Sequence, residues 1–143
     1  MIVRDLLHNR SSEALVLRSG MSALEAACFF QNEHVGGAPV VDDGRLVGFC
    51  SERDLVFRVM ALALDPRSAK VRDIMSQTVI TASPDETLEH CELLLREHHC
   101  RHLPILEGGR VIACLSLRDF LQSELREREE EINHLREYIQ GAG

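Results

Sequence analysis

The sequence predicts an α+β fold made of two β-α-β-β-α units followed by an amphipathic helix. Three observations point there: an internal echo at a spacing of 65 residues, helix-capping signals, and turn dipeptides between short apolar runs. The echo lays HVGGAPVVDDGRLVGFCSERDLV (34–56) on HCRHLPILEGGRVIACLSLRDFL (99–121). His34 falls on His99, Pro39 on Pro104, Gly44-Arg45 on Gly109-Arg110, and Ser51-x-Arg53-Asp54 on Ser116-x-Arg118-Asp119. Self-similarity at a fixed period marks one supersecondary unit used more than once.

Each copy opens with a similar tag, VRDLL at 3–7 and VRDIM at 71–75, and the first carries three extra residues in the loop after it. A short strand comes next, at 15–17 and at 79–81. The first helix, Ala23–Glu33, starts from a capping box of Ser22 and Glu25. Its equivalent is expected to start at Ser83, Pro84 and Glu86, as N-cap, first helical residue and third. Two strands then flank Asp43-Gly44 or Gly108-Gly109, dipeptides that accept the positive φ of a tight hairpin turn. The last element runs as a helix over 54–64 in the first copy and from Arg118 onward in the second. One such unit leaves an apolar sheet face open; two, packed sheet to sheet, close it. The expected division is 1–65 for the first repeat, 66–123 for the second and 124–143 for a helical extension.

With 143 residues, 45% of them apolar and 27% charged, the chain has the profile of a globular domain rather than a disordered one. The net charge is −7, and 124–140 alone holds six Glu against three Arg. That balance excludes a nucleic-acid polymer as a partner through a basic face, and it argues against anionic membranes. No apolar run approaches the roughly 20 residues of a membrane span, and MIVRDLLHNR lacks the apolar stretch of a signal peptide. The five cysteines, scattered singly, read as small core hydrophobes in a reducing compartment, so a cytoplasmic location is expected.

The Ser51/Asp54 pair and its echo Ser116/Asp119 admit two compatible readings. Each is a capping box, and each is a helix start at which an anion can bind. As an ordered set, VRDIM, GGAPVVDDGRLVG and the repeated S-x-R-D resemble a tandem pair of CBS domains, the cystathionine-β-synthase-type regulatory module, over residues 1–123. The resemblance implies two repeats facing each other as a pseudo-twofold pair, with two clefts that take adenosine-type ligands: AMP, ADP, ATP or S-adenosylmethionine. It implies a ribose on Asp54 with Ser51, and another on Asp119 with Ser116. A carboxylate can accept from two neighbouring hydroxyls, in charge-assisted hydrogen bonds.

By the same resemblance, Ser76 completes the Ser51/Asp54 pocket, while its counterpart after the first tag is His8. Arg101, beside His102, is placed to face phosphate, where the first repeat has Gly36 and Gly37. Arg53 and Arg118 are further candidates at their helix starts. Gly48 in the first copy becomes Ala113 in the second, where a methyl crowds an approaching base. Two unequal pockets are therefore expected, the Ser51/Asp54/Ser76 one better formed.

EHHCRH (97–102) offers imidazoles without a partner cluster at ligand spacing, so helix-end histidines rather than a metal site are expected. No glycine-framed nucleophile elbow occurs, and no catalytic residues are expected. Leu121, Leu125, Ile132, Leu135 and Ile139 form a heptad stripe broken by Arg128. The stripe suits either packing back onto the domain or a helix–helix partner. The resulting expectation is a non-catalytic regulatory protein of the energy-sensing kind. It would have no obligatory cofactor, would form a homodimer, and would pass its signal to an effector protein. The alternative is a ligand-free dimerisation scaffold.

Overall fold

A computed structural model describes residues 1–8 and 14–142. In chain order the elements are α1 (Val3–Leu7), α2 (Ala23–Glu33), β1 (Gly37–Asp42), β2 (Arg45–Ser51), α3 (Glu52–Leu55), α4 (Val71–Ile74), α5 (Leu88–Glu97), β3 (His102–Glu107), β4 (Arg110–Ser116) and α6 (Leu117–Ala142). The mixed helix-and-strand class, the two repeats and the C-terminal helix match the expectation from sequence.

The hairpins are near copies. In β1–β2, Gly37 pairs with Ser51 and Asp42 with Arg45. In β3–β4, His102 pairs with Ser116 and Glu107 with Arg110. Both ladders slip at the same echoed point, between Val40 and Val41 and between Ile105 and Leu106. The turns use positive φ at both central residues, 51° and 78° at Asp43-Gly44, 59° and 81° at Gly108-Gly109. This twist suits a two-residue hairpin. The expected leading strands at 15–17 and 79–81 shrink to single parallel bridges, Leu17 to Val40 and Ala82 to Ile105. Each bridging residue still donates to one carbonyl of its hairpin and accepts from the amide two residues on (Leu17 with Pro39 and Val41, Ala82 with Pro104 and Leu106).

One helix start and one helix body differ from the sequence reading. The second long helix is capped by Thr87, whose hydroxyl accepts from the His90 amide, and not by Ser83. Thr87 is the residue 65 after Ser22, so the echo marks the cap correctly where the local S-P-x-E pattern misleads. Ser83 and Glu86 lie in the turn before it, with the Glu86 amide donating to the Ser83 carbonyl. After one turn, α3 widens into a π-helical turn at Val56–Met60, which buries only Val59. Both α2 and α5 end at an echoed histidine in the left-handed region, His34 (φ 55°) and His99 (φ 53°). The next amides, Val35 and Cys100, donate to Phe30 and Leu95, a Schellman closure that accounts for the repeated His.

The tags cross over. Val3 of α1 is buried with Leu88, Leu95, Leu103, Leu115 and Phe120 of the second copy. Val71 and Ile74 of α4 are buried with Leu17, Phe30, Val40 and Cys50 of the first. Backbone bonds fix the exchange: Val3 donates to Glu86 and Arg4 to Pro84, while Val71 donates to Met21 and Arg72 to Ser19. At the surface Arg4 adds ion pairs to Asp85 (3.1 Å) and Glu107 (2.6 Å). Each core thus borrows an element from the other half of the chain, and the halves are interlocked.

Of the cysteines, Cys50 and Cys91 are buried as expected, and burial pushes their thiols up to about 12 and about 11. Cys28 is exposed on the outer face of α2, contrary to the core reading. Among the described residues no helix is long and apolar enough to cross a membrane. From Glu124 to Gly141 every residue of α6 is exposed, so this part of the helix projects from the fold instead of packing back on it.

Candidate functional site

Each repeat ends in the same small device. Ser51 accepts from the Asp54 amide, and Asp54 Oδ2 accepts from the Ser51 amide (2.8 Å) and hydroxyl (3.2 Å). Ser116 and Asp119 repeat it at 2.8 and 3.1 Å. In both, a strand hands over to a helix, and the acid is held at the helix's positive end. The devices are twins; their surroundings are not.

The second device opens onto a cavity of about 790 Å³. Ser116, Arg118 and Asp119 line it, together with Arg101 and His102 at the start of β3. Ile112, Ala113 and Cys114 of β4, with Leu7 and Leu15, supply an apolar wall. From the first repeat come the loop His34–Gly37 and the carboxylate of Glu52. The site therefore lies between the repeats. It combines two guanidiniums, an acid at a helix start and an apolar strand face.

His102 sits at the seam. Its ring lies 5.3 Å from that of Phe49, tilted by 34°, and its flank meets Gly36. Burial lowers its pKa first of all; the Glu52 carboxylate opposes that, Arg101 adds to it, and Asp119 opposes it. The ring is therefore neutral at pH 7. A depressed native pKa makes this contribution to stability fully present above the ordinary value near 6.5 and lost as the pH falls below it toward the native value. Urea midpoints measured from pH 7.5 down to 5 will fall less steeply for His102→Gln than for the native chain.

Close packing marks the strand that leads into the first device. Met75 and the Ser76 backbone press on Gly48: a Cβ there would lie 2.5 Å from Met75 Sδ and 2.8 Å from the Ser76 carbonyl oxygen. Ser76 pairs with Phe49 in both directions at 2.9 Å, and its hydroxyl donates to the Thr78 carbonyl. Arg58 donates to the carbonyls of Ile74 (3.0 Å) and Met75 (3.3 Å) and lies 3.9 Å from Asp54. Arg53 stacks over Phe57, 5.2 Å from the ring centre, and does not line the cavity. Of the residues singled out in the sequence, Ser116, Arg118, Asp119, Arg101 and His102 thus meet at one cavity, while Ser51, Arg53, Asp54 and Ser76 do not line it.

A cavity opens at the second device, whereas the better-formed pocket was expected at Ser51, Asp54 and Ser76. Leu7 and Ser123 stand where the other half has Met75 and Arg58. Glu52, Met75 and Arg58 were the residues missed. Comparing the two tags at their last position would have drawn attention to Met75. Replacing Gly48 by alanine forces the methyl onto Met75 and a carbonyl, and will cost about 1–3 kcal/mol of stability. Chemical denaturation measures it, with Ala113→Gly, at the echoed position, costing no more than about 1 kcal/mol.

Two interlocked repeats with a cleft at their seam define a paired regulatory module. A family model for the CBS domain matches residues 3–61 and again 71–126, and the chain belongs to the CBS-domain family. It is 30% identical over 101 residues to the CBS domain-containing protein YhcV of Bacillus subtilis, covering 71% of each chain. The crystal structure of the CBS domain NE2398 superposes with a TM-score of 0.82 at 28% identity, over 87% of this chain and 98% of that one. The CBS pair of protein MJ0100, solved with 5′-methylthioadenosine and S-adenosyl-L-methionine, gives a TM-score of 0.76 at 26% identity, over 89% and 98%.

Proposed function

We propose that the chain senses an adenosine nucleotide in the cleft at Ser116 and Asp119, with one ligand per chain. The observation that carries this reading is the convergence of Asp119, Arg101 and Arg118 on one cavity between the repeats. Asp119 receives the ribose hydroxyls, and the adenine lies along Ile112 and Ala113, closed from the other side by Leu7. Arg101 and Arg118 face the phosphates, which favours AMP, ADP or ATP over the cationic S-adenosylmethionine. That MJ0100 was solved with adenosine-type ligands supports the ligand class. Met75 and Arg58 keep the first cleft filled, so the scaffold role belongs to that half.

The mechanism is a shift of equilibrium, without chemistry. The cavity wall is drawn from both repeats, so a ligand that binds one relative arrangement more tightly will favour it. Calorimetry with the four ligands tests the reading: a phosphate-bearing nucleotide binds at one per chain, and Asp119→Ala removes it. No heat with any of them would refute it.

The output passes through α6 to a second copy of the chain and an effector protein in the cytoplasm. Leu125, Ile132, Leu135 and Ile139 are all exposed on the projecting helix, at heptad spacing. Sedimentation will show a dimer that Leu135→Asp converts to a monomer; an unchanged mass would place the contact elsewhere.

A further inference from the structure

The other end of the hairpins carries a second cavity, of about 680 Å³, that the nucleotide reading leaves unused. It is walled by both hairpin tips and by the segment that leads into the second repeat. Arg45 and Arg110, the echoed arginines that open β2 and β4, both line it. In an isolated hairpin each would meet the acid directly across the ladder, Asp42 for Arg45 and Glu107 for Arg110.

Both acids are engaged elsewhere. Asp42 accepts from the amide and hydroxyl of Ser19, which hold its pKa below the usual carboxylate range. Glu107 accepts from Arg4 at 2.6 Å. Among the described residues no side-chain hydrogen bond or ion pair engages either arginine, so two arginines line one cavity without a counter-charge from their own hairpins. Gln77 and Thr81 add neutral donors from the third wall, and Asp43 is the one acid in the lining.

From this arrangement we infer a second anion site, separate from the nucleotide cleft, that bridges the hairpin tips through an inorganic oligophosphate. A guanidinium grips one phosphoryl group with two parallel N–H bonds. Two of them, on different hairpins, select a ligand with at least two phosphoryl groups, which the cavity is large enough to admit. Asp43 disfavours a single weakly held monoanion. Occupancy ties the two repeats together at the end remote from Asp119, so the site reads phosphate chains independently of adenosine.

The test is calorimetry of the full chain with pyrophosphate and with tripolyphosphate, beside sulfate and AMP. Tripolyphosphate will bind the native chain and the Asp119→Ala variant alike, about tenfold or more weaker in Arg45→Gln or Arg110→Gln. The double variant will not bind it. Both side chains are exposed, and an unchanged circular-dichroism spectrum will verify the fold. Tripolyphosphate binding that survives in the double variant, or is absent from the native chain, overturns the site. Binding lost in Asp119→Ala would assign the phosphate to the nucleotide cleft and likewise overturn it. AMP binding is unaffected by the double variant, so this inference and the nucleotide reading fail separately.

Discussion

Phe120→Ala will destabilise the chain by about 3–5 kcal/mol, the cost of deleting a fully buried aromatic ring and leaving a partly collapsed cavity. Phe120 is 1% exposed and lies in the core that gathers Val3, Leu95, Leu103 and Leu115. It stands one residue after Asp119, on the first turns of α6, and so anchors the helix whose start carries the site. Because Val3 belongs to the same core, the loss will also loosen α1 and the interlock between the halves. Urea denaturation measures it, with Leu121→Ala as the comparison. Leu121 is the next residue on the helix but 54% exposed, and its truncation should fall within about 0.5 kcal/mol of native. Equal costs for the two would mean that the first turns of α6 are not seated as described.

Asp119→Ala will abolish nucleotide binding, while Asp54→Ala leaves it intact. Each hydrogen bond to a charged acceptor contributes about 1.5–3 kcal/mol. Losing two of them lowers affinity by a factor of about 100 or more. The twin variants control for each other, because each carboxylate also closes a capping box with the serine three residues before it. Each loses about 1 kcal/mol of stability when that box is broken. The stability cost is therefore shared and the binding cost is not. Comparable binding losses in both variants would point to two working clefts.

Much of this was legible in the sequence, for a physical reason. The hairpins, their turns, the first capping box and both exit boxes are local devices, set by side chains within a few residues of one another. A repeat of 65 residues displays each of them twice. Even the Thr87 cap follows from that spacing, against the strong local pattern at Ser83-Pro84. The crossing of the tags was not legible. VRDLL and VRDIM look alike, and nothing in either says that Val3 will be buried against Leu103 and Phe120 rather than in the first copy's core.

The packing of Met75 against Gly48 was hidden for a related reason. Ser51 and Asp54 have the right types and spacing, and Gly48 suggested room for a base. That glycine instead accommodates Met75, which arrives from another part of the chain with Arg58 clamped over its backbone. A glycine marks a close approach, and the sequence alone does not say what approaches.

The most direct measurement is a crystal structure of the chain grown with AMP, ADP or ATP. The expected result is one nucleotide per chain, its ribose hydroxyls on Asp119, its phosphates between Arg101 and Arg118, and Met75 still seated against Gly48. A nucleotide with its ribose on Asp54 and Met75 displaced would contradict it.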